Sequence, residues 1–181
     1  MFKADLGYQV RFFLVSRIIL VLIIFTTTVN YSLSQNMPVP ENIQAALLPK
    51  VLKFSSNLSQ KSKIRILIVY DNNSQTSKDE FTKELSVSMD VKAVLSTELE
   101  KNISSCDLVY FMPGIQNLAA ICKTYNVLSV TGISQYVEQG QVSLAFGLQN
   151  NKPKIFVNLS SLEKEGQSLS SEILRIAKVY N

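Results

Sequence analysis

The residues Lys63-Ile64-Arg65-Ile66-Leu67-Ile68-Val69-Tyr70 decide the fold. Beyond Arg65 the run is apolar at odd and even positions alike, so neither face of an extended strand could meet water. Such two-sided burial belongs to a central strand of a parallel sheet, where crossover helices cover both faces. The flanking sequence agrees. After Asp71-Asn72-Asn73, the segment Ser77-Lys78-Asp79-Glu80 offers a Ser-x-x-Glu capping box, and Phe81 and Leu85 follow at helical spacing. A strand over 91–95 precedes a second box, Thr97-Glu98-Leu99-Glu100. Cys106-Asp107-Leu108-Val109-Tyr110-Phe111 reads as another strand, stopped by the turn Met112-Pro113-Gly114. Ile115, Leu118, Ala119 and Cys122 mark the buried stripe of the helix that returns from it.

A fourth strand spans 127–130. Thr131-Gly132 opens a short helical segment to Gln139, where Gly140 can supply a left-handed stop. Strands over 142–148 and 154–158, separated by Gln149-Asn150-Asn151-Lys152-Pro153, predict an antiparallel hairpin at the sheet edge. Ser160-Ser161-Leu162-Glu163 is a third capping box. Leu169, Ile173, Leu174, Ile176, Ala177 and Tyr180 predict a terminal amphipathic helix. Before the first strand, Ile43, Ala46, Leu47, Val51 and Phe54 recur at helical spacing, with Pro49 expected to kink or split that helix. The whole predicts a three-layer α/β/α sandwich, mostly parallel, with no internal repeat.

The amino end carries a different signal. Arg11 and Arg17 precede the hydrocarbon run Ile18-Ile19-Leu20-Val21-Leu22-Ile23-Ile24-Phe25, and Ser32-Leu33-Ser34 offers a small-residue exit. That order is expected of a secretory signal peptide over 1–34, cleaved near Ser34. A retained membrane anchor is the other reading, since 12–29 approaches a spanning length, but Arg17 interrupts it. Met37-Pro38-Val39-Pro40 makes 35–40 an extended spacer, leaving 41–181 as the domain.

The 181 residues suit one domain, with 46% apolar residues, 18% charged and a net charge of +4. Removing 1–34 leaves 15 basic and 13 acidic side chains, a net of +2. No long basic run or stripe interleaved with aromatics remains, so nucleic acid is not expected as a partner. The chain contains no His, which excludes Ser-His-Asp and Cys-His catalysis and the common His-containing zinc sites. No glycine-rich phosphate-binding motif follows the first strand. No cofactor is expected.

In an open α/β sheet, ligands gather beyond the carboxyl ends of the strands, which makes Asp71, Pro113, Gly114, Thr131 and Gly132 the candidate ligand or partner loops. Ordinary turn chemistry explains the same residues. The acidic pairs Asp79/Glu80, Glu98/Glu100 and Glu163/Glu165 read as first-turn residues that favour the helix dipole rather than as catalytic carboxylates. Lys50, Lys53, Lys61 and Lys63 form a loose basic cluster, read as a solvated face. In an exported chain Cys106 and Cys122 can form a disulfide, and two buried thiols is the alternative.

Lys154-Ile155-Phe156-Val157-Asn158-Leu159, then Gly166, then Ser170-Ser171-Glu172-Ile173-Leu174-Arg175-Ile176-Ala177, resembles the terminal signature of the YfiR/HmsC-like family of bacterial periplasmic proteins. Earlier segments fit in order: Ala45-Ala46-Leu47 to Phe54, Ile64 to Tyr70, Cys106 to Phe111, and Val127-Leu128-Ser129-Val130-Thr131 before Gly140. The resemblance spans 43–179. Family members often carry Gly-Gly where this chain has Gly140 alone, and many have more cysteines, so their disulfide pattern does not transfer. The resemblance implies a non-enzymatic regulator that binds the periplasmic part of an inner-membrane diguanylate cyclase and so controls cyclic di-GMP and biofilm formation. It also implies a homodimer. A periplasmic small-molecule binding module serving a transporter or sensor kinase is the alternative.

Overall fold

In the computed structural model, which describes residues 39–181, the first strand alternates as its sequence requires. In β1 (Arg65–Tyr70), Ile66 and Ile68 enter one hydrophobic cluster while Leu67 and Val69 enter another. None of the four is more than 2% exposed. Six further strands join it: β2 (Asp90–Leu95), β3 (Leu108–Phe111), β4 (Leu128–Thr131), β5 (Leu144–Gln149), β6 (Lys152–Asn158) and β7 (Lys178–Tyr180). Their order is β2-β1-β3-β4-β5-β6-β7, and every pair is parallel except β5 with β6. The expected signal segment and residues 35–38 of the spacer lie outside the described residues.

The two clusters are the two faces of the sheet. On one, Ile66, Leu108 and Leu128 stand in register and pack with α1 (Glu41–Leu52), α2 (Gln75–Leu85), α6 (Leu159–Lys164) and α7 (Ser171–Ile176) through Leu48, Phe81, Leu162 and Ile173. On the other, Val109, Phe111 and Ala145 meet α3 (Leu99–Asn102), α4 (Ala120–Tyr125) and α5 (Ser134–Glu138) through Leu99, Cys122 and Val137. The architecture is the expected three-layer sandwich.

Several local expectations change. The helix carrying Pro49 is continuous, with the proline three residues from its end. The capping box after β1 is made by Asp71 and Ser74, not by Ser77 and Glu80: the Asp71 carboxylate accepts from the N–H groups of Asn73 and Ser74, both at 3.0 Å, so a helical turn starts directly off the strand. Thr97 and Glu100 make no capping bond because the chain enters α3 through a 3-10 turn. Asn158, not Ser160, caps α6, its side-chain oxygen accepting from Ser161 N–H at 2.8 Å. The helix after β3 begins at Ala120, not near Ile115, since the turn at Pro113–Gly114 runs on through Asn117 at positive φ.

The hairpin is tighter than its sequence suggested. Asn150 and Asn151, with φ of 52° and 57°, make a two-residue turn of the mirror-image kind, so Lys152 and Pro153 belong to the strand. The expected terminal helix stops at Ile176, and Lys178–Tyr180 adds to β6 as a parallel seventh strand. The hairpin therefore lies one strand inside the edge. Gly140 closes α5 at φ +69°, as expected.

Gly147 is a close-approach position. A Cβ there would stand 2.7 Å from a ring carbon of Phe156 and 2.9 Å from Ser134 Cβ. Phe156 is 2% exposed and stacks on Tyr180, so it has little room to yield. Gly147→Ala is expected to lower stability by about 1–3 kcal/mol, read as a shift in the urea midpoint at constant slope.

Candidate functional site

The strand order reverses direction between β1 and β3, which opens a crevice beyond their carboxyl ends. Two of the expected loop residues meet there: Asp71 follows β1 and Gly114 follows β3, and a Cβ on Gly114 would lie 3.4 Å from Asp71 Oδ2. Asp71 Oδ1 also accepts the Ser74 hydroxyl at 2.9 Å, so one carboxylate oxygen is spent on the helix start while the other faces Gly114. Pro113 is buried under the same turn. Thr131 and Gly132 belong to the neighbouring strand end. The Thr131 hydroxyl donates to Phe111 O at 3.0 Å and accepts from Ile133 N–H at 3.3 Å, joining β3 to the turn before α5.

At the opposite edge the structure gathers charges that the sequence did not. Arg65 opens β1 and Asp107 immediately precedes β3; the parallel register brings them side by side. Arg65 grips the carboxylate as a fork, Nε to Oδ2 at 3.1 Å and Nη2 to Oδ1 at 2.8 Å. Lys61 Nζ adds 2.7 Å to Oδ1, and Arg65 backbone N–H donates to Oδ2 at 2.9 Å. Burial alone would raise the Asp107 carboxyl; the hydrogen bonds from Arg65 and Lys61 outweigh it and hold the group well below the usual carboxylate range. Asp107→Ala is expected to cost about 2–3 kcal/mol of unfolding free energy, because one buried acceptor serves four charge-assisted or backbone bonds while both cations stay half in water. Because the folded-state pKa is depressed, this stabilisation is present at neutral pH and fades as acid protonates Asp107, which acid titration of the variant against the parent checks.

Cys106 and Cys122 are free thiols in this structure, both buried. Cys106 Sγ instead donates to Ile103 O at 3.1 Å, within its own turn. Burial pushes the Cys106 thiol up to about 11 and raises Cys122 further, so neither is a thiolate at neutral pH.

Glu165 does not stand in a helix first turn. It lies at the carboxyl end of α6, wholly buried, reaching across to β4 and to the entry of β5. Ser129 donates to it through its hydroxyl at 2.5 Å and its N–H at 3.0 Å, and the Ser143 hydroxyl donates at 2.6 Å. Burial raises the carboxyl to about 7 against the opposing pull of Ser129, Ser143 and the charge of Lys123. No sequence signal distinguished it from Glu163, two residues away and exposed.

A cleft of about 600 Å³ opens at the amino edge, between the loop over 53–64 and residues 86–90. Three of the four lysines read above as a solvated cluster, Lys53, Lys61 and Lys63, line it. Among the described residues no group of three His, Cys, Asp or Glu is placed to hold a metal ion, and no helix is long and apolar enough to cross a membrane.

A family model described as YfiR/HmsC-like matches residues 41–178, from the start of α1 into β7. No curated protein matches the chain. Among solved structures, a conserved domain protein from Vibrio cholerae O1 biovar El Tor superposes with a TM-score of 0.58 at 12% identity. The ABC domain in complex with L-Trp from Streptococcus pneumonia gives 0.56 at 13% identity. Each alignment covers 78% of this chain and 60% of the other, so the chain spans less than two thirds of either neighbour. At such identities the likeness shows a shared fold.

Proposed function

Because the chain belongs to the YfiR/HmsC-like family, we propose that it is a non-enzymatic periplasmic regulator that binds the periplasmic part of an inner-membrane signalling protein of the diguanylate cyclase type. The observation that carries this reading is the family match, which takes in every layer of the sandwich. In this reading residues 1–34 are removed on export, 41–181 form the working domain, and the domain acts as a homodimer on its membrane partner. The chemistry of the described residues supports action by docking. Glu165 and Asp107, the buried carboxylates, are engaged in tying elements together, and the two thiols are held protonated. The loops around Asp71, Gly114 and Thr131 sit at the sheet's carboxyl edge, where a partner can reach residues from several strands at once.

Co-purification from solubilised membranes, followed by titration against the isolated periplasmic portions of the host's sensor proteins, tests the proposal. A stoichiometric complex with one of them is expected. The absence of a complex with any of them would end this reading. A small-molecule binding module serving a transporter or sensor kinase is the second reading, and the amino-edge cleft favours it. A marked rise in melting temperature with a transported solute, in the absence of any membrane partner, would support that alternative.

A further inference from the structure

We propose that the amino-edge cleft is a binding site for a small amphiphilic anion, one anionic head on a compact hydrocarbon body. At about 600 Å³ it falls in the range of ligand-sized clefts. Its lining is mixed, with the apolar part supplied by half-buried Ile64 and Met89 over the buried side chains of Leu52 and Leu58. Its rim is basic. Lys63 is cancelled by Asp90 at 3.1 Å, whereas Lys61 shares Asp107 with Arg65 and leaves that trio one positive charge in excess. Lys53, which follows α1, makes no ion pair among the described residues, although Glu172 lines an adjoining hollow with it. The cleft therefore presents about two unbalanced positive charges above hydrocarbon, which suits an anion that also has apolar surface to bury.

Val87 adds an independent observation. It stands on the cleft wall with 88% of its surface in water, the highest exposure among the large hydrophobic residues described. It occupies the turn between α2 and β2, where serines flank it on both sides and any of the common turn residues would serve. A hydrocarbon side chain there has no internal partner, and a ligand body lying across the floor would cover it. The Ser59 hydroxyl, on the wall opposite Val87, supplies a neutral donor for the head group, whereas the Ser88 hydroxyl is engaged with Leu85 O at 3.4 Å. This site is separate from the docking reading and does not depend on it.

The test uses the exported protein purified from the periplasm and the fluorescent probe 1-anilinonaphthalene-8-sulfonate. One saturable site is expected, emptied by octanoate and by octyl phosphate but not by inorganic phosphate, which lacks a body for the floor. Lys53→Glu and Val87→Asp should each weaken the probe by about tenfold or more, while Lys101→Glu on the opposite layer leaves it unchanged. Both altered side chains are exposed, so folding is retained and is checked by circular dichroism. Absence of saturable binding, displacement by inorganic phosphate alone, or unchanged affinity in both cleft variants would overturn the proposal. Complex formation with a membrane protein is scored separately, so either idea can fail alone.

Discussion

Raising the pH from about 5 to about 8 is expected to destabilise the protein by about 2.5 kcal/mol through Glu165 alone, a fall in melting temperature on the order of 10 °C. The carboxyl titrates at 4.5 when unperturbed and at about 7 in the fold, because burial disfavours the anion more than Ser129 and Ser143 favour it. A folded-state pKa above the unfolded one means that the native protein holds the proton more tightly. The stabilisation is therefore complete below about pH 4.5 and is lost as pH climbs through about 7. The groups facing Glu165 are Ser129, Ser143, Cys122 and Lys123; the Lys123 charge opposes the upward shift without cancelling it, and Cys122 stays neutral across this window. Glu165→Gln removes the titration while keeping an oxygen that can accept from Ser129 N–H, so its stability should be nearly flat over the same range. Urea unfolding at several pH values reads both curves, and an unchanged slope in the glutamine variant would show that another group carries the effect.

Tyr110→Ala should cost about 3–5 kcal/mol. The ring is fully buried with its centroid 4.1 Å from that of Phe81, so truncation opens a cavity between β3 and α2. It also removes the hydroxyl that donates to Gln44 Oε1 at 2.5 Å. Gln44 in turn donates through Nε2 to Val39 O at 2.7 Å, so the same chain of contacts fixes the entry to α1. Tyr110→Phe keeps the ring and should lose about 1–2 kcal/mol for the missing hydrogen bond. If the two variants unfold at the same urea concentration, the ring packing counts for less than the hydroxyl and this apportioning is wrong.

The elements legible in the sequence were those whose burial is decided over several consecutive residues. Ile66-Leu67-Ile68-Val69 needs cover on both sides, and that requirement alone implies helices above and below. Leu108 to Phe111 and Leu128 to Val130 repeat the message. What stayed hidden depends on single residues and on distant partners. β7 is three residues long, and Lys178-Val179-Tyr180 continues the apolar spacing of Ile173 and Ile176, so periodicity carried the helix too far. The three Ser/Thr-x-x-Glu boxes matched a local pattern, yet Asp71 and Asn158 reach the free N–H groups first because they stand at the strand exits.

The candidate site divides along the same line. That Asp71 and Gly114 share a crevice follows from strand order, which alternation of strands and helices suggests. The Arg65–Asp107 fork follows from register, which it does not, although two opposite charges each placed at the threshold of an apolar strand are a usable hint. Glu165 could not be foreseen, because its partners Ser129 and Ser143 lie 36 and 22 residues away in sequence. The lysines around the amino-edge cleft were visible as a cluster, but the apolar part of the lining beneath them is assembled from α1, its following loop and the approach to β2.

We propose that the protein engages a membrane signalling enzyme from the periplasmic side. Cyclic di-GMP formation in spheroplasts of the host, measured with increasing amounts of the purified protein supplied from outside, addresses it most directly. A saturable change in synthesis is expected, one that disappears when the responding cyclase loses its periplasmic part. Synthesis that stays constant at every protein concentration, with all of the host's membrane cyclases present, would contradict it.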